Sequence, residues 1–224
     1  MQKALTLFET SIGKKAVMAL TGLVMYGFVI GHLIGNLQVF MGPEQLNGYA
    51  VKLRELGPLL WVVRGTLLLC LVLHIWMTWS LYLQTSWGAR PVRYEVRDMT
   101  ATNYAARTMW LGGPLILLFL VYHLAQFTYP GISMGTHEFN AHGDVYFNVV
   151  NDFSIPWVVM VYIAAQIVLG LHLYHGGWSL LQSLGLTHPA VNEKRRTVAQ
   201  AIAALVVIGN ISIPVAVLAG FVTY

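Results

Sequence analysis

The sequence predicts an all-α integral membrane protein with five transmembrane helices. Hydrophobic residues make up 57% of the 224 residues and charged residues only 10%, whereas about a quarter of the residues in a soluble domain are charged. The mean hydropathy of +0.63 is that of a chain solvated by lipid. A helix crosses the hydrocarbon core with about 20 apolar residues, and five segments reach that length. We expect helices over about 16–41, 58–82, 108–129, 155–184 and 198–222.

These five helices use most of the chain, so we expect one membrane domain over residues 1–224 and no soluble active site. The first helix is expected to be retained, because the preceding MQKALTLFETSIGKK lacks the apolar core and cleavage site of a signal peptide. The second contains Cys70, the single cysteine, which excludes an internal disulfide and a thiolate-held iron–sulfur cluster. The third and fifth contain Pro114 and Pro214, which are weak signs of helix breaks. The fourth carries GLHLYHGGWSL, with two histidines three residues apart.

Basic residues are concentrated in alternate loops, and this asymmetry predicts the orientation of the chain. We expect the amino terminus in the cytoplasm and the carboxy terminus outside. The loops assigned to the outside contain Lys52 and Arg54 as their only basic residues, and the second of these loops contains the acidic residues Glu138, Asp144 and Asp152. The net charge of +4 then lies on the cytoplasmic face, where it suits anionic lipid or an acidic partner surface and not nucleic acid. The cytoplasmic basic residues are Lys3, Lys14, Lys15, Arg90, Arg93, Arg97, Arg107, Lys194, Arg195 and Arg196.

Five histidines fall inside the predicted helices. A single one is compatible with a hydrogen-bonded packing residue, but polar groups at this depth are costly and usually functional. Each of the first four helices carries at least one, and the fifth carries none. The other three, His137, His142 and His188, fall in loops, where a solvated position is expected. The five are His32, His74, His123, His172 and His175.

The predicted topology arranges four of these histidines in two pairs at matching depth. The first and third helices run outward, which places His32 and His123 in the outer half as the outer pair. The second and fourth run inward, which places His74 and His172 in the cytoplasmic half as the inner pair. Two imidazoles that face each other across a bundle hold a haem iron from both sides. Two such haems form an electron path across the membrane, whereas each pair alone is an incomplete zinc shell.

Glycines cluster around the histidines of the first and fourth helices. They leave room for a haem macrocycle, and they are equally typical of close helix packing. Both interpretations can hold at once. The glycines are Gly27, Gly31, Gly35, Gly170, Gly176 and Gly177.

Four runs of the sequence together resemble a known family. They are KKAVMALTGLVMYGFVIGHLIGNLQVFMGPEQLNGYA, WVVRGTLLLCLVLHIWM, VYHLAQF and GLHLYHGGWSLLQSLGL. In this combination and histidine order they resemble the five-helix, di-haem cytochrome b membrane subunit of succinate dehydrogenase and fumarate reductase. The resemblance implies a respiratory complex II subunit of the bacterial cytoplasmic membrane. It also implies a flavoprotein and an iron–sulfur protein as partners, two haem b groups as cofactors, and menaquinone as the quinone.

The resemblance also implies roles for individual residues. His74 and His172 match the ligands of the cytoplasmic, higher-potential haem, and His32 and His123 match those of the outer, lower-potential haem. This assignment agrees with the depth pairs obtained from topology. His175 stands where relatives need not have histidine, and we expect it near the haem edge or the propionates and not on the iron.

Basic residues near the helix ends are candidate partners for the haem propionates. Lys15, Arg93 and Arg107 are candidates at the inner haem, although ordinary positive-inside charge explains each of them as well. Arg64, early in the second helix, either extends to the interface or pairs with an outer-haem propionate.

A quinone site needs a group that exchanges protons with the outside. Family members use a carboxylate near the outer start of the second helix, and LRELGPLLW offers Glu55 there, with Glu44 further away. A solvated loop carboxylate is the alternative interpretation of Glu55. Trp61 and Tyr49 nearby are typical of the aromatic belt at the interface.

Two other functions are compatible with parts of the pattern. One is a di-haem cytochrome b subunit of another membrane dehydrogenase, of the hydrogenase or formate dehydrogenase type. The even distribution of one ligand on each of four helices and the GHLIGN context favour the succinate dehydrogenase family over it. The other is a haem-free transporter or scaffold whose histidines relay protons, but the sequence has no internal repeat of the kind typical of transporters.

Overall fold

The computed structural model describes residues 8–85, 102–129, 131–140 and 143–224. Five of its helices are long and apolar enough to cross a membrane, which confirms the all-α membrane fold predicted from composition. Two shorter helices lie between them. The helices are α1 (Ser11–Asn36), α2 (Pro43–Glu55), α3 (Pro58–Leu83), α4 (Tyr104–Phe127), α5 (Val145–Phe153), α6 (Pro156–Ser183) and α7 (Asn192–Leu218).

Local capping explains why several helices begin earlier than the apolar runs predict. α1 begins at residue 11 and not near 16, because the Thr10 hydroxyl accepts a hydrogen bond from the Gly13 amide at 3.0 Å. α4 begins at residue 104 and not near 108, because the Asn103 side chain accepts from the Ala106 amide at 2.8 Å. A proline in the first turn starts α3 and α6, where its missing N–H costs no helical hydrogen bond.

The long helices form an antiparallel bundle arranged around α6. α6 packs against α1, α4 and α7, and α1 packs in turn against α3. Close contact with α7 depends on glycine, because a Cβ at Gly170 would collide with Val207 and one at Gly209 would lie 2.9 Å from Leu33. A hydrogen bond of 3.0 Å from the Asn210 side chain to that of Gln166 joins α7 and α6. The bundle therefore packs the four histidine-bearing helices, α1, α3, α4 and α6, against one another.

The short helices α2 and α5 cover one end of the bundle, which we call the α2–α5 end. The predicted orientation assigns this end to the outside. Its largest cluster of buried apolar side chains joins α2, α5, α6 and α7 and includes Leu46, Tyr146 and Phe153. Neither short helix was expected, because these segments lack a long apolar run and were therefore interpreted as loops. Leu46 and Phe153 show that these connections are instead packed parts of the fold.

A carboxylate ties the chain together at this end. Asp144 accepts hydrogen bonds from the Phe147 amide at 2.9 Å, the Asn47 side chain at 2.9 Å and the Tyr224 hydroxyl at 2.8 Å. Partial burial alone would raise the pKa of Asp144, but these three hydrogen bonds outweigh it and hold the pKa below its usual value. The same contact raises the pKa of Tyr224, since its proton is held by the carboxylate. Asp144 thus joins α2, α5 and the carboxy-terminal residue.

Candidate haem-binding site

The structure brings together the two histidine pairs expected from topology. In the outer pair, the rings of His32 on α1 and His123 on α4 have centroids 5.8 Å apart and planes at 86°. In the inner pair, the rings of His74 on α3 and His172 on α6 have centroids 6.2 Å apart and planes at 52°. Each of the first four long helices therefore contributes one member of a facing pair.

The ring separations suit one iron held between two imidazoles. A metal–nitrogen bond is about 2 Å long. The centroid of a five-membered ring with sides of about 1.33 Å lies about 1.1 Å from its nitrogen. Two imidazoles on opposite sides of one iron therefore have centroids about 6.2 Å apart by these lengths. The observed 5.8 and 6.2 Å lie close to this value.

In the inner pair, a backbone carbonyl determines which nitrogen of His74 carries the proton. His74 Nδ1 lies 3.1 Å from the Met18 carbonyl oxygen and 3.4 Å from the Thr21 hydroxyl. A carbonyl oxygen only accepts hydrogen bonds, so Nδ1 carries the proton and Nε2 keeps its lone pair. The opposite ring differs, because the buried Nδ1 of His172 has no hydrogen-bond partner in the described part of the chain.

In the outer pair, the corresponding contact is made by side chains. His123 Nδ1 lies 3.0 Å from the hydroxyl of Tyr162, which donates to Gln126 Oε1 at 2.9 Å. Gln126 Nε2 donates in turn to Asp152 Oδ2 at 2.7 Å. Metal-binding histidines usually donate their second nitrogen to such a partner. Both His74 and His123 therefore have the environment expected of ligands.

His175 does not face a second imidazole in the way that His172 does. Its ring lies 6.5 Å from that of Trp178, at 71°, and its buried Nδ1 has no partner within the described residues. Trp178 is itself held by Asn192 and lies 4.2 Å from the Arg196 guanidinium. The proposed role of His175 at the haem edge or propionates stays a prediction.

The six glycines predicted near the histidines divide into two groups. A Cβ at Gly27, Gly31 or Gly176 would meet no atom within 4 Å, so these three border open space. Gly35, Gly170 and Gly177 instead lie against Tyr49, Val207 and Tyr26 respectively. The first group fits the expectation of room for a macrocycle, and the second serves close helix packing.

Gly22 was not expected to belong to the site. A Cβ at this position on α1 would lie 3.3 Å from Cε1 and 3.5 Å from Nδ1 of His74. A side chain here would press on the imidazole of the inner pair. The sequence around Gly22, MALTGLVM, does not indicate this contact, because the contact depends on how α1 and α3 cross.

Tyr162, Gln126 and Asp152 were also missed. Asp152 was expected only as an acidic loop residue, whereas it is buried at 1% exposure and ends a chain of hydrogen bonds from His123. Gln126 lies one helical turn after His123 and is fully buried. A glutamine and a tyrosine at membrane depth were the available signals, because buried polar groups need partners.

Among the expected basic partners, the structure places Lys15 and Arg107 on exposed positions. The neighbouring Lys14 is the lysine that turns into the bundle, where its Nζ donates to the Ser80 hydroxyl at 2.6 Å. Arg93 lies outside the described residues. Arg64 is exposed, with its guanidinium carbon 5.0 Å from the centre of the Trp61 ring, so both interpretations of Arg64 stay open.

Glu55, the expected quinone-site carboxylate, is the last residue of α2. It is exposed and forms no hydrogen bond or ion pair with the described residues. A carboxylate at a helix carboxy terminus is not stabilised by the helix dipole. Its side chain is therefore free to contact a ligand at the surface of the α2–α5 end.

The described residues fit a site at which His32 with His123, and His74 with His172, would each hold one haem group. The ring separations suit a single iron, and glycines on α1 and α6 border open space. Nδ1 of His74 and Nδ1 of His123 each lie within hydrogen-bond distance of an oxygen atom. No family model, curated protein or solved structure matches the chain. The assignment of these residues therefore depends on their geometry and on the resemblance of the sequence runs.

Proposed function

We propose that this chain is the membrane anchor and electron-transfer subunit of a succinate:menaquinone oxidoreductase of the bacterial cytoplasmic membrane. It is the non-dehydrogenase subunit of an enzyme complex of the succinate dehydrogenase and fumarate reductase type. Its partners are a flavoprotein and an iron–sulfur protein on the cytoplasmic side. The observation that carries the proposal is the presence of two facing imidazole pairs, each at a separation that suits one iron.

When bound, the two b haems supply one-electron couples between the iron–sulfur protein and the quinone. His74 and His172 hold the inner group, and His32 and His123 hold the outer group. The protein keeps His74 oriented through the Met18 carbonyl and His123 through the Tyr162 hydroxyl.

Glu55 is proposed to exchange protons with quinone at the α2–α5 end. Its free, exposed carboxylate supports this role. Glu44, in the first turn of the same helix and also exposed, provides a matched control. We expect Glu55→Gln to slow quinone reduction while both haems are retained, and Glu44→Gln to leave the rate unchanged. Equal rates in the Glu55→Gln variant and the wild type would remove Glu55 from the proposal.

The experiment that tests the function is expression of the tagged chain in its native membrane and identification of what is purified with it. The proposal predicts a flavoprotein and an iron–sulfur protein in equal amounts, and haem absorption that appears on addition of succinate. Haem that is reduced by hydrogen or formate and not by succinate would assign the chain to another membrane dehydrogenase. Purified protein without a b-type band after dithionite would contradict both haem functions.

A further inference from the structure

We propose that Asp152, Gln126 and Tyr162 fix the tautomer of His123 and lower the reduction potential of the outer haem. The hydrogen-bond chain itself stands on the geometry, and its effect on potential rests on the proposed function. The three residues act as positioning residues, because they act through hydrogen bonds that end on His123.

The chain of hydrogen bonds ends at the Asp152 carboxylate, which only accepts hydrogen bonds. Asp152 Oδ1 accepts from the Ser133 hydroxyl at 2.8 Å and from the amides of Met134 and Gly135 at 2.9 and 3.0 Å. Its Oδ2 accepts from Gln126 Nε2 at 2.7 Å. Within the described residues Asp152 forms no ion pair, so the donors that hold it are all neutral groups.

Because the Asp152 carboxylate only accepts, it determines which group donates in each of the following hydrogen bonds. A carboxylate requires a donor, so Gln126 turns its amide nitrogen towards Asp152 and its carbonyl oxygen towards Tyr162. That oxygen cannot donate, so the single hydroxyl proton of Tyr162 is used at 2.9 Å on Gln126. Tyr162 then accepts from His123, whose Nδ1 at 3.0 Å must carry the proton. Nε2 of His123 is left with a lone pair for the iron.

Burial stabilises this arrangement of hydrogen-bond donors and acceptors. Gln126, Asp152 and Tyr162 are 0%, 1% and 6% exposed, so water does not compete for their hydrogen bonds. The rings of Phe153 and Phe127 lie 4.7 and 6.3 Å from the Tyr162 ring and close the site. Successive hydrogen bonds polarise one another in such an environment.

Among the described residues, the inner pair has no comparable chain of hydrogen bonds. His74 donates to a backbone carbonyl, and His172 Nδ1 has no partner among the described residues. A ligand histidine that donates to a polarised acceptor becomes a stronger electron donor, which favours the oxidised metal. The outer pair alone is connected to a buried carboxylate, so the described structure contains a physical cause for a lower potential at that pair.

Tyr162→Phe removes the central hydroxyl and retains the ring. Tyr122→Phe is the matched control, because the Tyr122 hydroxyl is buried without a partner in the described residues and its ring lies 6.1 Å from that of Tyr162. In redox titrations of the purified complex, we expect Tyr162→Phe to raise the ratio of reduced to oxidised outer haem roughly tenfold at fixed potential, which is an upward shift of about 59 mV for one electron. The inner haem and the control should titrate as in the wild type. An unchanged outer haem in Tyr162→Phe, or an equal shift in Tyr122→Phe, would overturn the effect on potential.

The tautomer is measured separately by nitrogen NMR of the full chain labelled at histidine, in the reduced, diamagnetic state. The wild type should have His123 protonated at Nδ1, and Tyr162→Phe should weaken that preference. Protonation at Nε2 in the wild type would overturn the chain, and this result does not require a variant to fold. Absence of haem would contradict the proposed function and the effect on potential, whereas the tautomer would still decide the hydrogen-bond chain.

Discussion

Replacement of Gly22 is expected to displace the His74 imidazole and weaken retention of the inner haem. A Cβ at Gly22 would lie 3.3 Å from His74 Cε1, whereas carbon atoms in ordinary contact are about 3.5–4.0 Å apart. The ring must therefore move by about 0.2–0.7 Å. Metal ligands tolerate about 0.2 Å, so Gly22→Ala is at or beyond the limit, and Gly22→Val exceeds it.

The ring has little freedom to avoid the added side chain, because His74 Nδ1 is held 3.1 Å from the Met18 carbonyl. Overpacking of this kind costs about 1–3 kcal/mol, which corresponds to roughly 5- to 150-fold weaker retention of the group. The assay is the ratio of haem to polypeptide together with the reduced-minus-oxidised spectrum. We expect Gly22→Ala to lose part of the inner haem and Gly22→Val to lose most of it.

Gly65→Ala on α3 is the control, because its Cβ would meet no atom within 4 Å. Both alanine variants gain helix propensity of about 1 kcal/mol, so a loss confined to Gly22 cannot come from the helix backbone. Wild-type haem content and spectrum in Gly22→Val would refute the reasoning. So would an equal loss of haem in Gly65→Ala.

Three further outcomes are expected. His172→Ala should lose the inner haem while His175→Ala retains it with an altered spectrum, and the reverse result would reassign the ligand. Because the pKa of Asp144 is lowered in the folded chain, its stabilising effect should be complete above its ordinary pKa of 3.8 and decline as pH falls through the lower folded value. Amide protection from hydrogen exchange at the α2–α5 end should decrease over this pH range in the wild type and not in Asp144→Asn. Identical dependence of protection on pH in the two proteins would contradict this. Gly135→Ala should loosen the loop that donates to the Asp152 carboxylate, because its Cβ would collide with Asn151, and an unchanged midpoint of thermal unfolding would argue against that contact.

The parts of the fold that depend on local sequence were predictable. Span length and composition are sufficient to identify five membrane helices, because lipid allows few alternatives to a continuous apolar helix. The depth of each histidine followed from counting residues along antiparallel helices. The pairing of His32 with His123 and of His74 with His172 in space follows from that count.

The parts that depend on how helices cross were not predictable. Gly22 contacts His74 through the crossing of α1 and α3, and Lys14 instead of Lys15 turns inward because of the rotation of α1. Asp152 lies near the end of α5, a helix that the sequence did not predict, so its charge resembles that of a solvated loop residue until Gln126 and Tyr162 are placed around it. Sequence periodicity contains none of these relations, because each joins residues on different helices.

A pyridine haemochrome measurement of haem per polypeptide tests most directly whether each histidine pair holds one haem. We expect two haems in the wild type and one in each of His32→Ala and His74→Ala, with the outer and inner spectral components lost respectively. A wild-type value near zero, or two haems retained in either variant, would contradict it.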